Sequence, residues 1–154
     1  MTTKNSLGLM GGALVLSLGA TLAFAALSGD DAIKARQACM KANGAGMGVL
    51  VPIIKGEKPY DATIVKAATD KMGSACDKWT EFWPADSMTS KTLKSRALEN
   101  VWKDPKDFEG KGNTYYTAFT TLAATKDEAS FKAAFPAVGQ ACGACHEKNR
   151  APAP

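Results

Sequence analysis

Cys142-Gly143-Ala144-Cys145-His146, close to the end of a 154-residue chain, is the stretch that decides how this protein folds. On a helix, positions i, i+3 and i+4 share one face, so Cys142, Cys145 and His146 aim at a single object. Cys-x-x-Cys-His is the form in which a chain captures haem covalently, the two thiols becoming thioethers to the vinyl groups and the imidazole binding iron. Two other chemistries use paired cysteines. Structural zinc asks for four Cys or His ligands, and the remaining cysteines, Cys39 and Cys76, form no second Cys-x-x-Cys. A thioredoxin-like dithiol opens a helix within a βαβ pattern, and no such pattern surrounds this motif. The residues therefore point to one covalent haem c, with His146 as an iron ligand.

Upstream of the motif the chain reads as helical throughout, with β-type alternation scarce. Asp127 or Ser130 starts the helix that buries Phe131, Phe135 and Val138 and then carries the haem motif. Before it, Pro105 suits the first turn of a helix running to about Thr125, packed through Phe108, Tyr115, Phe119 and Leu122, although Gly110 and Gly112 weaken its start. Residues 84–104 are polar and Lys-rich and read as a long crossing loop with some helical turns, in which Leu93, Leu98, Val101 and Trp102 pack. A further helix opens at Tyr60-Asp61, with Asp61 as N-cap. Its apolar stripe is Ile64, Val65, Ala68, Met72, Ala75 and Trp79, and it ends about Phe82 because the Trp83-Pro84 step stops it. The first helix is capped by Asp30 and Asp31 and runs to about Ile54, with Pro52 kinking its last turn and the Gly56 to Pro59 loop ending it. Four helices joined mostly by short turns imply an all-α, antiparallel, up-down four-helix bundle.

His146 is the only histidine. That excludes bis-histidine ligation within the chain, a His-Glu-x-x-His zinc site and a Ser-His-Asp triad. It also removes the distal histidine that a haem peroxidase uses as its acid-base partner. The chain is therefore not expected to be an enzyme.

At the N-terminus, Lys4 precedes an apolar stretch over residues 7–26 that ends in Ala23-Phe24-Ala25. This is the pattern of a secretory signal peptide spanning residues 1–25, leaving residues 26–154 as one domain of ordinary size. The stretch is nearly long enough to serve instead as an uncleaved membrane anchor. Export suits the haem, since covalent attachment in bacteria takes place outside the inner membrane, and a periplasmic location follows. The whole chain carries a formal charge of +4, and losing Lys4 leaves +3. So mild a balance gives no case for nucleic-acid binding, and once the signal is cleaved no membrane association is expected.

With these elements in place the chain resembles the class II cytochromes c, the cytochrome c-prime family. The resemblance is carried by Arg36-Gln37-Ala38-Cys39-Met40-Lys41-Ala42-Asn43-Gly44, by Lys55-Gly56-Glu57-Lys58-Pro59-Tyr60-Asp61, by Val101-Trp102 with Phe108, and by Cys142 to His146 followed by Arg150. Residues 87–100 match poorly. The resemblance implies a four-helix bundle with its haem motif near the C-terminus. It also implies a distal position, counted back from the Lys-Gly turn, where high-spin members carry an apolar residue and low-spin members carry methionine. That position is Met40, and the Met-Lys-x-Asn-Gly wording around it is similar to the low-spin branch. Spacing alone leaves Met40 equally readable as core filler.

Arg36, four residues before Met40 and on the same face, is expected to neutralise a haem propionate, as the resemblance also implies, and Arg150, four residues after His146, is expected by its spacing to lie beside the proximal imidazole. Trp102, Phe82 and Tyr116 are candidates to touch the haem edge. Cys39 and Cys76 depart from the family pattern. They flank the first turn at similar distances, so antiparallel helices would place them at one height, as a disulfide or as two buried thiols. The expected function is a periplasmic monohaem electron carrier with His146 and Met40 as axial ligands. It would serve redox partner proteins of a periplasmic electron-transfer chain as a monomer or homodimer. The alternative is a five-coordinate cytochrome c-prime that binds nitric oxide or carbon monoxide.

Overall fold

The computed structural model describes residues 27–152, and the expected signal segment, 1–25, lies outside them. The helices are α1 (Gly29–Ile54), α2 (Ala62–Ser74), α3 (Asn100–Lys103), α4 (Pro105–Ala123) and α5 (Glu128–Asn149). Short 3-10 turns occupy Trp79–Phe82 and Ala85–Ser87. Among the described residues there is no strand, only an isolated antiparallel bridge between Ala97 and Arg150.

Each long helix begins at a side-chain cap. Asp61 accepts the N–H groups of Thr63 and Ile64 at 2.7 and 3.0 Å, Asp104 that of Asp107 at 3.3 Å, and Asp127 that of Ser130 at 2.8 Å. These satisfy amides that have no partner inside the helix. At α1 the cap is Ser28, which accepts from the Asp31 N–H. Asp30 and Asp31 do not cap it, as their sequence suggested. They sit in its first turn, where carboxylates meet the positive end of the helix dipole. Pro52 is carried inside α1, and its carbonyl accepts the N–H groups of Glu57 and Lys58 across the turn. Gly56 makes that turn at φ 74°, a conformation that glycine adopts without a Cβ clash.

α2 stops at Ser74 and does not reach Phe82. Gly73 and Ser74 are weak helix formers, and Cys76 is bonded to Cys39 of α1, which draws the chain sideways. Trp79 consequently leaves the α2 stripe, and Ile64, expected on it, is half exposed. The buried face of α2 is Val65, Ala68, Thr69 and Met72. Gly46 lets α1 approach it closely, since a Cβ there would overlap the Met72 sulfur.

α1 packs on α2, α4 on α5, and α2 on α4, giving an antiparallel four-helix bundle with α3 as a short turn leading into α4. The main apolar core, Leu50, Ile53, Val65, Met72, Phe119, Leu122, Phe131, Phe135 and Val138, fills the half of the bundle near the two tight turns. The other half, where α1 begins and α5 ends, holds the haem motif. It is closed by the connection between α2 and α4.

Candidate haem site

The last turns of α5 present the motif. Cys142 and Cys145 are free, half-buried thiols. Burial raises the pKa of both, the neighbouring thiol adding to the effect at Cys142, so they stand as neutral thiols at pH 7. Asn149 closes the helix by donating to the Cys145 carbonyl at 3.1 Å. His146 is half-buried. Its pKa is pulled below the ordinary histidine value by burial, then by the charges of Arg150 and Arg96. An imidazole kept neutral is the form that binds metal. The Arg150 N–H donates to the His146 carbonyl at 3.1 Å, and its side chain is exposed.

On α1 the inward face carries Ile33 and Arg36, which are 1% and 5% exposed. At 100° per residue Met40 points between the directions of these two, yet it is 38% exposed. Its neighbour Cys39 forms a disulfide with Cys76, so the pairing left open by the sequence is a bond. Asn43 ties this bond to the far side of the bundle. Its amide nitrogen lies 3.1 Å from the Cys76 sulfur and donates to the Cys39 carbonyl at 3.1 Å. Its oxygen accepts from the Tyr115 hydroxyl at 2.5 Å. Tyr115 packs beside Cys142, and burial lifts its pKa far above the usual phenol value.

Arg36 holds the crossing segment. Its guanidinium donates to the Phe82 carbonyl at 3.0 Å, the Ser87 hydroxyl at 2.7 Å, the Ser87 carbonyl at 2.8 Å and the Ser95 hydroxyl at 3.4 Å. It lies over the rings of Trp83 and Trp102, 4.7 and 5.5 Å from their centroids. Trp102 donates its indole N–H to the Trp83 carbonyl at 3.1 Å. Trp79, Trp83, Trp102 and Phe108 form one aromatic cluster, in which Trp83 meets the other three edge-to-face, with Phe82 packed on Trp79. Arg36, Trp102 and Phe82 therefore come together. Tyr116 does not join them: it is 67% exposed, because Tyr115 is the α4 tyrosine that faces inward.

The donor set fits a covalent haem. Cys142, Cys145 and His146 share one helical face. Arg36 is a buried cation with no carboxylate among its hydrogen-bond partners. The indole nitrogen of Trp83 and the side-chain oxygen of Asn149 are buried without a partner. Among the described residues no group of three or more His, Cys, Asp or Glu side chains is arranged to hold a metal ion by itself. In the sequence Trp83 marks only a helix stop, and nothing there singles out Arg96 or Asn149. Their roles depend on contacts across the crossing segment, which no periodicity announces.

Comparison with known proteins agrees. The family described as Cytochrome C' matches residues 31–150. Cytochrome c-556 of Agrobacterium tumefaciens (strain B2A) is 34% identical over 120 residues, covering 77% of this chain and 95% of that protein. The crystal structure of cytochrome c' from Rubrivivax gelatinosus superposes with a TM-score of 0.72 at 26% identity, covering 80% of this chain and 98% of that one. A nitric oxide complex of a variant of cytochrome c prime from Alcaligenes xylosoxidans does so with a TM-score of 0.70 at 28% identity, covering 82% and 98%. With its bundle, its terminal motif and most of its length in register with these relatives, the chain belongs to the cytochrome c' family of class II c-type cytochromes, whose cofactor is a single covalently bound haem c.

Proposed function

We propose that this monohaem electron carrier is of the six-coordinate type, with His146 and Met40 as axial ligands. Bound haem supplies a one-electron iron couple. The observation that carries the reading is Met40 itself. It is a soft thioether on the inward sector of α1, flanked by buried Ile33 and Arg36, and it remains 38% exposed where ordinary core methionine would be covered, as Met72 is at 1%. A thioether ligand favours reduced iron.

The remaining residues have supporting parts. Cys142 and Cys145 tether the group, and His146 is held neutral to bind it. Arg36 offers its charge to a propionate, and Arg150 and Arg96 add positive potential beside the imidazole. Residence in the bacterial periplasm after removal of residues 1–25 belongs to the same proposal. The Cys39–Cys76 disulfide supports it, since such bonds persist in oxidising compartments. The second reading is five-coordinate gas binding; a variant of the Alcaligenes xylosoxidans relative is known as a nitric oxide complex.

The test is the visible spectrum of haem-matured protein, with and without carbon monoxide, beside Met40→Ala. The proposal expects a low-spin wild type with a sulfur-to-iron charge-transfer band, indifferent to carbon monoxide, and a variant that loses the band and binds the gas. A wild type that is high-spin, shifts with carbon monoxide and is unchanged by the substitution would move the function to gas binding.

A further inference from the structure

The segment Ser87-Met88-Thr89-Ser90-Lys91-Thr92-Leu93-Lys94-Ser95-Arg96-Ala97-Leu98 contains three cations and no acid. It lies within the stretch, residues 87–100, that resembles the family poorly. It forms a strap across the end of the bundle that holds the haem motif. At α1, Thr92 donates to Asp30 at 2.7 Å, Gln37 to the Lys94 carbonyl at 2.7 Å, and Arg36 to Ser95 at 3.4 Å. At the end of α5, the Leu98 N–H donates to the Asn149 carbonyl at 2.9 Å, the Ala151 N–H to the Arg96 carbonyl at 2.8 Å, and the Arg96 Nε to the Ala151 carbonyl at 2.9 Å. The strap thus runs from the helix that carries Met40 to the one that carries His146.

Its charges are left uncompensated. Seven surface lysines, at 34, 55, 66, 103, 111, 132 and 148, meet an Asp or Glu within ion-pair distance, while among the described residues Lys41, Lys58, Lys71, Lys78, Lys106 and Lys126 stand singly without one; the strap differs in gathering three cations with no acid in the segment. Among the described residues Lys91, Lys94, Arg96 and Arg150 form no such pair, and Lys91, Lys94 and Arg150 are exposed. Lys41, also exposed, follows Gln37 by one helical turn on the same face of α1. Asp30 is the carboxylate bonded to the strap, and Asp86 adjoins it at the start of α1. Both sit at the end of the strap away from Arg96 and Arg150.

We propose that this strap, with Arg150 and Lys41, is the docking face for an acidic redox protein. The proposal rests on the electron-carrier reading but not on the identity of the sixth ligand. Cations gathered over the haem end and left unpaired steer an acidic partner to the place where electron transfer distance is shortest, and they fix its orientation. The carbonyl and hydroxyl bonds that hold the strap hold those charges in place, which lowers the ordering cost of docking.

The probe is a gold electrode coated with a carboxylate-terminated alkanethiol monolayer, read by voltammetry and by quartz-crystal mass. Two holoprotein variants of identical net charge are compared with wild type: Lys91→Glu/Lys94→Glu on the strap, and Lys58→Glu/Lys126→Glu at the two tight turns. A 22-residue α5 separates the latter from the strap by about 33 Å. Wild type and the remote double variant are expected to adsorb and give a redox wave that shrinks as salt rises. The strap variant should lose about tenfold in both adsorbed mass and wave area, with an unchanged visible spectrum. Equal losses in both variants, or equal adsorption on a hydroxyl-terminated monolayer, would overturn the proposal. Haem-loaded wild type that adsorbs but gives no reversible wave would overturn the carrier reading, and the docking face with it.

Discussion

Arg36 shows how one residue serves both fold and site. It is 5% exposed, and burial pulls its pKa below the usual arginine value, yet guanidinium remains charged at any accessible pH. Four hydrogen bonds to residues 82–95 and two indole faces hold it. Arg36→Leu should therefore destabilise the holoprotein by about 3 kcal/mol, because several carbonyl and hydroxyl acceptors lose a charged donor. Arg36→Lys should recover only part of that, since an ammonium cannot fork between Phe82 and Ser87. Urea unfolding midpoints of the three proteins check both expectations. Spacing was enough to place Arg36 on the face of Met40. Its partners at Ser87 and Ser95 lie more than 50 residues away in a segment without periodicity, and only the folded chain shows them.

At the scale of elements, side-chain caps were legible where an Asp precedes an apolar run. Asp61 caps α2 as its position implies, and Asp61→Ala should cost about 1 kcal/mol, measurable as a lowered thermal midpoint. The end of α2 was not legible. Trp79 continues the apolar spacing past the point where Cys76 is tied to Cys39, and a covalent link overrides a periodic pattern. That link closes a loop of sequence separation 37, so its removal in Cys39→Ser/Cys76→Ser should cost about 4 kcal/mol by loop-closure entropy. Intact mass after alkylation supplies the direct check: native holoprotein should take up no label at Cys39 or Cys76 until it is reduced. The bond sits one residue from Met40 and touches Asn43, so the double variant should also broaden the Met40 environment in NMR spectra.

For the whole molecule, the periodic faces of α4 and α5 and the terminal motif were sufficient to give an antiparallel bundle. The sequence shows the strap only as a polar crossing loop, because the bonds that hold it, to Asp30, Gln37, Asn149 and Ala151, reach distant parts of the chain and follow no periodic pattern. Stability against acid follows from carboxylates spread over the fold. Asp30, Asp31, Asp107 and Asp127 all have pKa values below the ordinary 3.8: Asp30 through Ser90 and Thr92, Asp31 through Ser28, Asp107 through Lys148 and Asp127 through Ser130. Lowered folded-state values stabilise the protein above the unfolded pKa, and that contribution is lost as pH falls through the folded values. The thermal midpoint should therefore begin to decline as pH drops below about 6.5, where the unfolded chain protonates His146 and the fold resists it, and fall more steeply below about pH 4.

The central claim is that Met40 completes the coordination of a haem held by Cys142, Cys145 and His146. Its most direct test is the proton NMR spectrum of the reduced, haem-matured protein beside Met40→Ala. A ligated thioether would lie against the haem face, so a three-proton methyl line shifted far upfield by the ring current is expected in wild type and should be absent in the variant. A paramagnetic, high-spin ferrous spectrum without that line, the same in both proteins, would contradict it.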